Sequence, residues 1–197
     1  MAMNETMKDT TAIERLLSRH SQGIKHLVEP GPDAAALRLM VQAALRAPDH
    51  AGLVPFRFKA VTGTARERLA ELFVETARAA GKSEESIAIE AERALRAPIT
   101  VAVVARIDLG HPIVPAHEQW AAVGGAITNF LNAAHALGFA GKMLSGAKAR
   151  APALVAAFCE PGETLVGWIA VGTAARMPNP RERKPGVDEV LTMWESS

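Results

Sequence analysis

The sequence AHEQWAAVGGAITNFLNAAHALGFAGKMLSG, residues 116–146, decides the fold because it contains the longest stretch of the chain without a charged side chain. The uncharged run from Gln119 to Gly141 is long enough for a helix to cross about 30 Å of hydrocarbon. It also carries a glutamine, a threonine, two asparagines and a histidine, and such polar side chains are expensive inside a bilayer. We therefore predict a helix over roughly Ala116–Leu137 that is buried all round, in a core or a subunit interface.

Apolar runs on either side of this helix predict a sheet. Phe56–Val61 alternates with period two, as a strand with one buried face does. Ile99–Ala105 and Thr164–Val171 are continuous apolar runs whose short length favours buried strands. The whole pattern predicts an α+β fold with about three good strands and five to six helices. We expect one domain over residues 11–197, ending in a C-terminal tail and preceded by a flexible or disordered arm of residues 1–10.

Composition limits the class of protein. The chain has 197 residues, 49% of them hydrophobic and 22% charged, which is typical of a globular domain. A net charge of +1 argues against broad electrostatic binding to nucleic acid or to an anionic membrane. The one cysteine, Cys159, can form neither an internal disulfide nor a thiolate metal cage. The polar N-terminus lacks the apolar segment of a signal peptide, so we expect a cytoplasmic protein.

Familiar catalytic signatures are absent from the sequence. It contains no GxGxxG, no GxxxxGK[ST], no HExxH and no GxSxG. His111 and the pair His117-Glu118 lack a metal-ligand spacing, and ordinary loop and helix-start roles explain them more simply. We therefore predict no metal site and name no catalytic side chain.

Three clusters remain as candidate binding residues, each with a plainer explanation beside it. Arg19-His20-Ser21 offers a guanidinium and a hydroxyl to a phosphate, but an ordinary basic helix C-terminus would read the same way. Arg46-Ala-Pro-Asp-His50 forms a rigid corner, or only a helix stop with a solvated pair. The segment Gly138–Gly146 would let a flat ligand approach the backbone, or is simply a strand between tight turns.

Taken together and in this order, the clusters resemble the FMN-dependent nitroreductases, most closely their compact branch. That branch carries an Arg-Arg-Ser element, an Arg-Ala-Pro-Asp-His corner with Pro-Trp/Phe-x-Phe, a Glu-Gln helix ending in Gly-Phe-Gly-Gly, then Trp-Arg-Ser-Gly and a Val-Gly-x-x-x-x-Gly-Thr strand. The matching stretches here are Arg19–Ser21, Arg46–His50 with Pro55–Phe58, Glu118–Gly141, Met143–Gly146 and Val166–Thr173.

The resemblance implies an intertwined homodimer whose subunits have a mixed, mostly antiparallel sheet flanked by helices. It implies one FMN in each of two clefts between the subunits, with the long uncharged helix in the interface. By carry-over, Arg19, His20 and Ser21 would hold the FMN phosphate, ribityl or pyrimidine edge, Arg46 and His50 would reach it from the partner subunit, and Met143, Leu144 and Ser145 would complete the pocket.

Two positions depart from the family pattern. His20 stands in place of the second arginine of the first element, and Leu144 replaces an arginine that would meet the phosphate. A partly buried dianion needs compensating charge. The tail sequence Arg181-Glu-Arg183-Lys184-Pro185 resembles a phosphate-gripping Lys-x-Arg-x-Pro of larger nitroreductases, so Arg181 and Arg183 are candidate replacements, unless they belong to a solvated charge run.

The resemblance implies ping-pong turnover in which NAD(P)H reduces a tightly bound FMN and a small acceptor, such as a nitroaromatic or a quinone, then occupies the same face. One alternative keeps FMN but has it oxidise or desaturate a specific metabolite. Another is a flavin-free, non-enzymatic dimer. The sequence leaves open the physiological acceptor, the choice between NADH and NADPH, and whether the tail crosses to the partner subunit.

Overall fold

A computed structural model describes residues 10–176 and 184–194 of the chain. The helices in these ranges are α1 (Thr10–Ser18), α2 (Ala34–Ala44), α3 (Ala65–Ala79), α4 (Glu84–Arg96), α5 (Ala116–Ala136) and α6 (Pro152–Phe158). The strands are β1 (Leu27–Val28), β2 (Phe56–Val61), β3 (Ile99–Ala105), β4 (Ala140–Leu144) and β5 (Thr164–Ala174). The predicted α+β class is confirmed, and β2 and β3 have the predicted bounds.

Strand β5 organises the sheet because it pairs with β1, β3 and β4, while β2 extends the sheet from β3. Every pairing among the described strands is antiparallel. The prediction of a mostly antiparallel sheet is therefore confirmed, whereas the parallel part of the predicted mixed sheet does not occur within the described residues.

Alternate residues of β3 enter two different cores. Val101 and Val103 face the core formed with α2 and α5, in which Phe130 is fully buried. Ala102 and Val104 face the opposite core, which contains residues of α3, α4 and α6. All seven residues of β3 are buried, which explains why the run is continuously apolar rather than alternating. At about 1.5–3 kcal/mol for each large buried side chain, these two cores hold the layers together.

Helix α5 is buried on one face only. Val123, Ala126 and Phe130 point into the core, whereas Trp120 is 40% exposed and Gly124 is also exposed. An uncharged stripe of α5 therefore faces outward in the single chain, so the core alone does not bury the helix all round, and the predicted alternative of a subunit interface stays a prediction. No helix within residues 10–176 and 184–194 has both the length and the apolar character needed to cross a membrane.

Two further differences concern strands. The sheet has five described strands rather than three, since the short β1 and β4 also pair with β5. Strand β5 runs on to Ala174, beyond the predicted end at Val171, because β1 and β4 continue to supply backbone partners there. A strand of two residues such as β1 is too short to show a periodic pattern.

Gly167 allows β4 to lie against β5. Its φ is +149°, and a Cβ at this position would overlap the backbone oxygen of Leu144. The register of β3 against β5 also shifts at this point, between Val103 and Val104. Glycine is therefore required at residue 167 for both conformational and steric reasons.

We expect Gly167→Ala to lower the free energy of unfolding by about 2 kcal/mol or more, because strain and overlap add. Gly146→Ala is the matched control, since Gly146 also has a positive φ (+130°) but nothing within 4 Å of the Cβ position. Urea unfolding of both variants measures the difference. Equal losses in the two variants would contradict the close approach of Leu144.

An ion pair joins β2 to the residue that precedes β5. Arg57 Nε donates to Glu163 Oε1 at 2.8 Å, and Arg57 Nη2 donates to the backbone oxygen of Phe158 at 2.9 Å. The Glu163 side chain is only 7% exposed. The hydrogen bond from Arg57 is the main cause that lowers the pKa of Glu163 to about 2, although burial opposes the shift.

We expect Glu163→Gln to destabilise the protein at pH 7 by about 1–3 kcal/mol, since the partly buried donors of Arg57 lose their charged acceptor. The folded-state pKa is depressed, so the contribution of Glu163 is complete above about pH 4.5 and disappears as the pH falls toward 2. The free energies of unfolding of wild type and Glu163→Gln should therefore converge as the pH falls across this range. A difference between them that stays constant with pH, or an equal loss of stability in the exposed control Glu160→Gln, would contradict this assignment.

Candidate functional site

Helix α1 docks on the C-terminal end of α5 through polar contacts. Arg15 Nη1 donates to the backbone oxygen of Ala136 at 2.8 Å, and Ser18 Oγ lies 3.0 Å from His135 Nε2. A cation at this position satisfies a terminal carbonyl group and complements the negative end of the helix dipole. The docking places the residues that follow α1 beside the end of α5.

Gln22 fixes the segment after α1 to the sheet. It is 4% exposed, and its backbone N–H donates to the oxygen of Gly141 at 3.2 Å. Its side-chain Nε2 donates to the backbone oxygen of Arg176, also at 3.2 Å. A buried side chain with these bonds holds Arg19 and His20 close to β4.

A cavity of about 320 Å³ lies between the segment after α1, the end of α5 and the start of β4. Its volume is within the range of small-molecule sites. The structure therefore brings the first and third predicted clusters together. The lining residues are Ser18, Arg19, His20, Gln22, Leu131, His135, Gly138, Phe139, Ala140, Gly141 and Ala174. Ser21 is exposed and lies next in sequence to this lining.

His135 contributes an imidazole to the cavity wall. Burial is the main cause that lowers its pKa, and the positive charges of His20, Arg19 and Arg15 lower it further. His135 is therefore a neutral hydrogen-bonding group at pH 7. The fixed cation of the cavity is the guanidinium of Arg19.

Two glycines line the cavity, and they differ in the space beside their α-carbons. Gly138 ends α5 with a φ of +87°, and nothing lies within 4 Å of where its Cβ would be. A Cβ on Gly141 would lie 3.0 Å from Leu131 Cδ2 and 3.1 Å from the oxygen of Ala170. The backbone is thus open at Gly138, where a flat ligand has access to the main chain, and it is tightly packed at Gly141.

The remaining residues of the third cluster do not line this cavity. Met143 packs at the edge of the core beneath α5, and Leu144 packs against the small core that contains Leu27. Ser145 Oγ donates to the backbone oxygen of Val166 at 2.8 Å. Leu144, where the resemblance led us to expect an arginine, thus serves apolar packing.

The second cluster lies at the opposite end of α5. His50 Nδ1 is 2.7 Å from Glu118 Oε2 in the first turn of that helix. Asp49 Oδ2 accepts a hydrogen bond from the backbone N–H of Val54 at 2.7 Å, which closes a loop in which Val54 has a φ of +47°. A positive φ is unfavourable for a β-branched residue, so this loop is strained. Arg46 is exposed just before the loop.

One chain does not bring its two predicted half-sites together. Glu118 and His135 lie about 25 Å apart along the axis of α5, at about 1.5 Å per residue. Arg181 and Arg183, the predicted phosphate partners in the tail, lie outside the described residues. Among residues 10–176 and 184–194, no group of three or more His, Cys, Asp or Glu residues could hold a metal ion.

Known proteins are similar to this chain over most of its length. A profile of the nitroreductase family matches residues 16–173. The chain belongs to the nitroreductase family. A relative in Escherichia coli (strain K12), named "Putative NAD(P)H nitroreductase YdjA", is 35% identical over 163 residues, which are 82% of this chain and 87% of that relative. The predicted resemblance and the predicted oxidoreductase class are confirmed.

Solved structures of nitroreductases share the fold. A nitroreductase-like family protein from Bacillus cereus has a TM-score of 0.80 at 22% identity, covering 99% of this chain and 100% of that one. The FMN-dependent nitroreductase NfnB from Mycobacterium smegmatis, solved in complex with NADPH, has a TM-score of 0.69 at 18% identity, covering 94% and 99%. The predicted nitroreductase-like architecture is therefore confirmed.

Sequence reasoning missed five residues of the cavity lining, which are Ser18, Gln22, Leu131, His135 and Ala174. Gln22 directly follows the predicted Arg19–Ser21 cluster, but a single glutamine gives no sign that it will be buried. His135 lies in the last turn of α5, three residues before Gly138. Its position at a helix C-terminus was the available signal, since cations and histidines are favoured there.

We expect Gln22→Ala to detach the segment after α1 and to lower the free energy of unfolding by about 1–2 kcal/mol, because the partly buried hydrogen bond to the backbone oxygen of Arg176 is lost. Gln42→Ala is the control, since Gln42 is exposed on α2. Amide hydrogen exchange at residues 19–22 should accelerate only in Gln22→Ala. Unchanged exchange there would show that Gln22 does not fix the segment.

Proposed function

We propose that the protein is a homodimeric, FMN-dependent oxidoreductase that uses NAD(P)H to reduce nitroaromatics, quinones or similar small conjugated acceptors. The observation that carries this proposal is the separation of the two predicted half-sites by the length of α5 within one chain. A second chain packed antiparallel on α5 would place the Arg46–His50 corner of one subunit beside Arg19 of the other.

The outward face of α5 supports such packing. Ala121, Gly124 and Thr128 lie at helical spacing along it, without a charge, and their small size permits close approach of a second helix. Trp120 on the same helix is 40% exposed, and Leu17 of the adjoining α1 is 80% exposed. Exposed apolar surface of this extent is typical of an interface. A two-fold axis would make the contact self-complementary and would create two equal sites.

The residues of the cavity suit FMN. Arg19 supplies a permanent positive charge and planar donors for the phosphate or the pyrimidine edge, and Ser21 supplies a hydroxyl. The open backbone at Gly138 suits one face of a flat ring system. Because Leu144 is apolar, the charge on the phosphate has to be met by Arg19, by the partner's Arg46 or by the tail arginines.

When bound, FMN supplies the hydride chemistry, taking electrons from NAD(P)H and passing them to the acceptor in a ping-pong cycle. The protein side chains bind and orient. Arg19 and Ser21 direct N–H and O–H donors at the electron-rich edge of the ring, which favours negative charge there. His135, neutral at pH 7, adds a hydrogen-bonding group beside Ser18 without adding charge.

Mixed dimers test this proposal. Arg19→Ala and Arg46→Ala should each abolish flavin retention as homodimers, because every site loses one guanidinium. A dimer of one Arg19→Ala chain with one Arg46→Ala chain keeps one intact site, so it should retain about half of the wild-type flavin per chain. Differently tagged chains, co-expressed and purified together, would be measured by flavin absorbance and by NADPH oxidation with a nitroaromatic.

Arg38→Ala, a substitution of an exposed arginine on α2, is the control and should bind flavin like wild type. Mixed dimers without flavin would contradict a site shared between subunits. Wild-type protein that is colourless and takes up no added FMN would favour a flavin-free dimer, a function consistent with Leu144. Bound flavin that NAD(P)H does not reduce would favour oxidation or desaturation of a specific metabolite.

A further inference from the structure

A second cavity, of about 400 Å³, lies on the other side of the sheet from the Arg19 cavity. It is formed by α3, the start and middle of α4, and the chain from residue 147 to the start of α6. Its walls are mainly apolar, with Phe73, Ala77, Ala80 and Pro152 among the lining residues. This cavity is separate from the residues proposed to hold FMN.

Four charged groups meet at one end of the cavity. Glu90 is only 4% exposed, and its Oε1 accepts hydrogen bonds from Lys82 Nζ at 2.9 Å and from Arg93 Nη1 at 3.0 Å. Its Oε2 accepts from Lys148 Nζ. Burial opposes the ionisation of Glu90, but the hydrogen bonds from Lys148 and Lys82 outweigh it and lower its pKa to about 2.

The positive charge of this group exceeds the negative charge. One buried carboxylate faces three cations, and the exposed Glu75 on the cavity lining still leaves an excess of one positive charge. Lys82 and Lys148 both line the cavity, and each ammonium has three donors of which one is used on Glu90. Burial is the main cause that lowers the pKa of Lys148, so a further anion beside it would relieve an existing penalty.

Two neighbouring side chains, Phe73 and Thr76, differ in their relation to the cavity. Lys148 Nζ lies 4.0 Å from the centroid of the Phe73 ring, a cation–π contact that fixes the ammonium at the cavity wall. Thr76 Oγ1 is buried and has no hydrogen-bond partner in the described part of the chain. Because this hydroxyl is closed off from solvent, a ligand in the open cavity does not reach it.

We propose that this cavity binds a small monocarboxylate with a compact apolar body. The carboxylate lies between the ammonium groups of Lys82 and Lys148 and accepts hydrogen bonds from both. The apolar body lies against the alanines and Pro152. A neutral ligand of the same shape would leave the donors unpaired, so the site discriminates by charge as well as by volume.

Benzoate is a suitable probe, and benzyl alcohol is its uncharged counterpart. Titration of the full-length protein, followed by calorimetry and by backbone NMR, should show binding of benzoate with shifts at residues 73–82 and 147–153. Benzyl alcohol should bind at least tenfold more weakly. Absence of benzoate binding, or equal binding of the alcohol, would overturn the proposal.

Two variants locate the site. Lys148→Met should weaken benzoate binding at least tenfold while Lys82 and Arg93 still pair with Glu90. Lys82→Met removes the second ammonium group on the cavity lining and should also weaken binding at least tenfold. Lys59→Met makes the same change on β2, away from the cavity, and should bind as wild type does. Circular dichroism and thermal unfolding of each variant identify the ones that remain folded.

Benzoate could also occupy the Arg19 cavity, so Arg19→Ala is measured in parallel. Binding that is lost in Arg19→Ala but kept in Lys148→Met and Lys82→Met would assign the probe to the other cavity and overturn the proposal. Binding that is kept in Arg19→Ala and lost in Lys148→Met would support it. Neither result depends on whether the protein carries flavin.

Discussion

The rigid length of α5 sets the distance between the two half-sites on which the proposed function depends. One face of the helix is fixed by Phe130, which is fully buried in the core beneath it, so its two ends cannot move relative to each other. Glu118 holds His50 at the first turn, and His135 meets Ser18 at the last turn. A site that needs groups from both ends cannot assemble within one chain. The uncharged outward face of α5 is the surface on which the proposed second chain packs, and this packing brings the two half-sites together.

Much of the fold could be predicted from local patterns. The bounds of β3 were predicted because a continuously apolar, β-branched run of this length has few other structures open to it. β1 was missed because its two residues are a strand only through their pairing with β5, which is a property of the tertiary structure. For a related reason, the sequence left open whether α5 is buried in a core or in a subunit interface. An uncharged helix face packs in the same way against its own core and against another subunit, so sequence alone does not separate the two.

For the candidate site, the sequence indicated which kinds of side chain to look for, but not which of them lie next to each other. Arg19, Gly138 and Gly141 line one cavity, whereas Met143, Leu144 and Ser145, which the resemblance places in the same pocket, do not line it. Gln22 and His135 were not predicted, since their roles come from burial and from a neighbour distant in sequence. Leu144 shows the opposite case. Its departure from arginine was visible in the sequence, and the structure adds the reason: the side chain packs beside Leu27, where a charge would need a partner.

Strand β4 links the two cavities of the molecule. Gly141 lies on the wall of the Arg19 cavity, and Lys148 lies on the wall of the Glu90 cavity on the other side of the sheet. The chain between them is held to β5 by backbone pairing and by the bond from Ser145 to Val166, and Gly167 permits that close approach. The connection is short and hydrogen-bonded, so few freely rotating bonds separate the walls of the two cavities. The residues that shape the proposed cofactor site therefore include those that hold β4 in register, although they never touch a ligand.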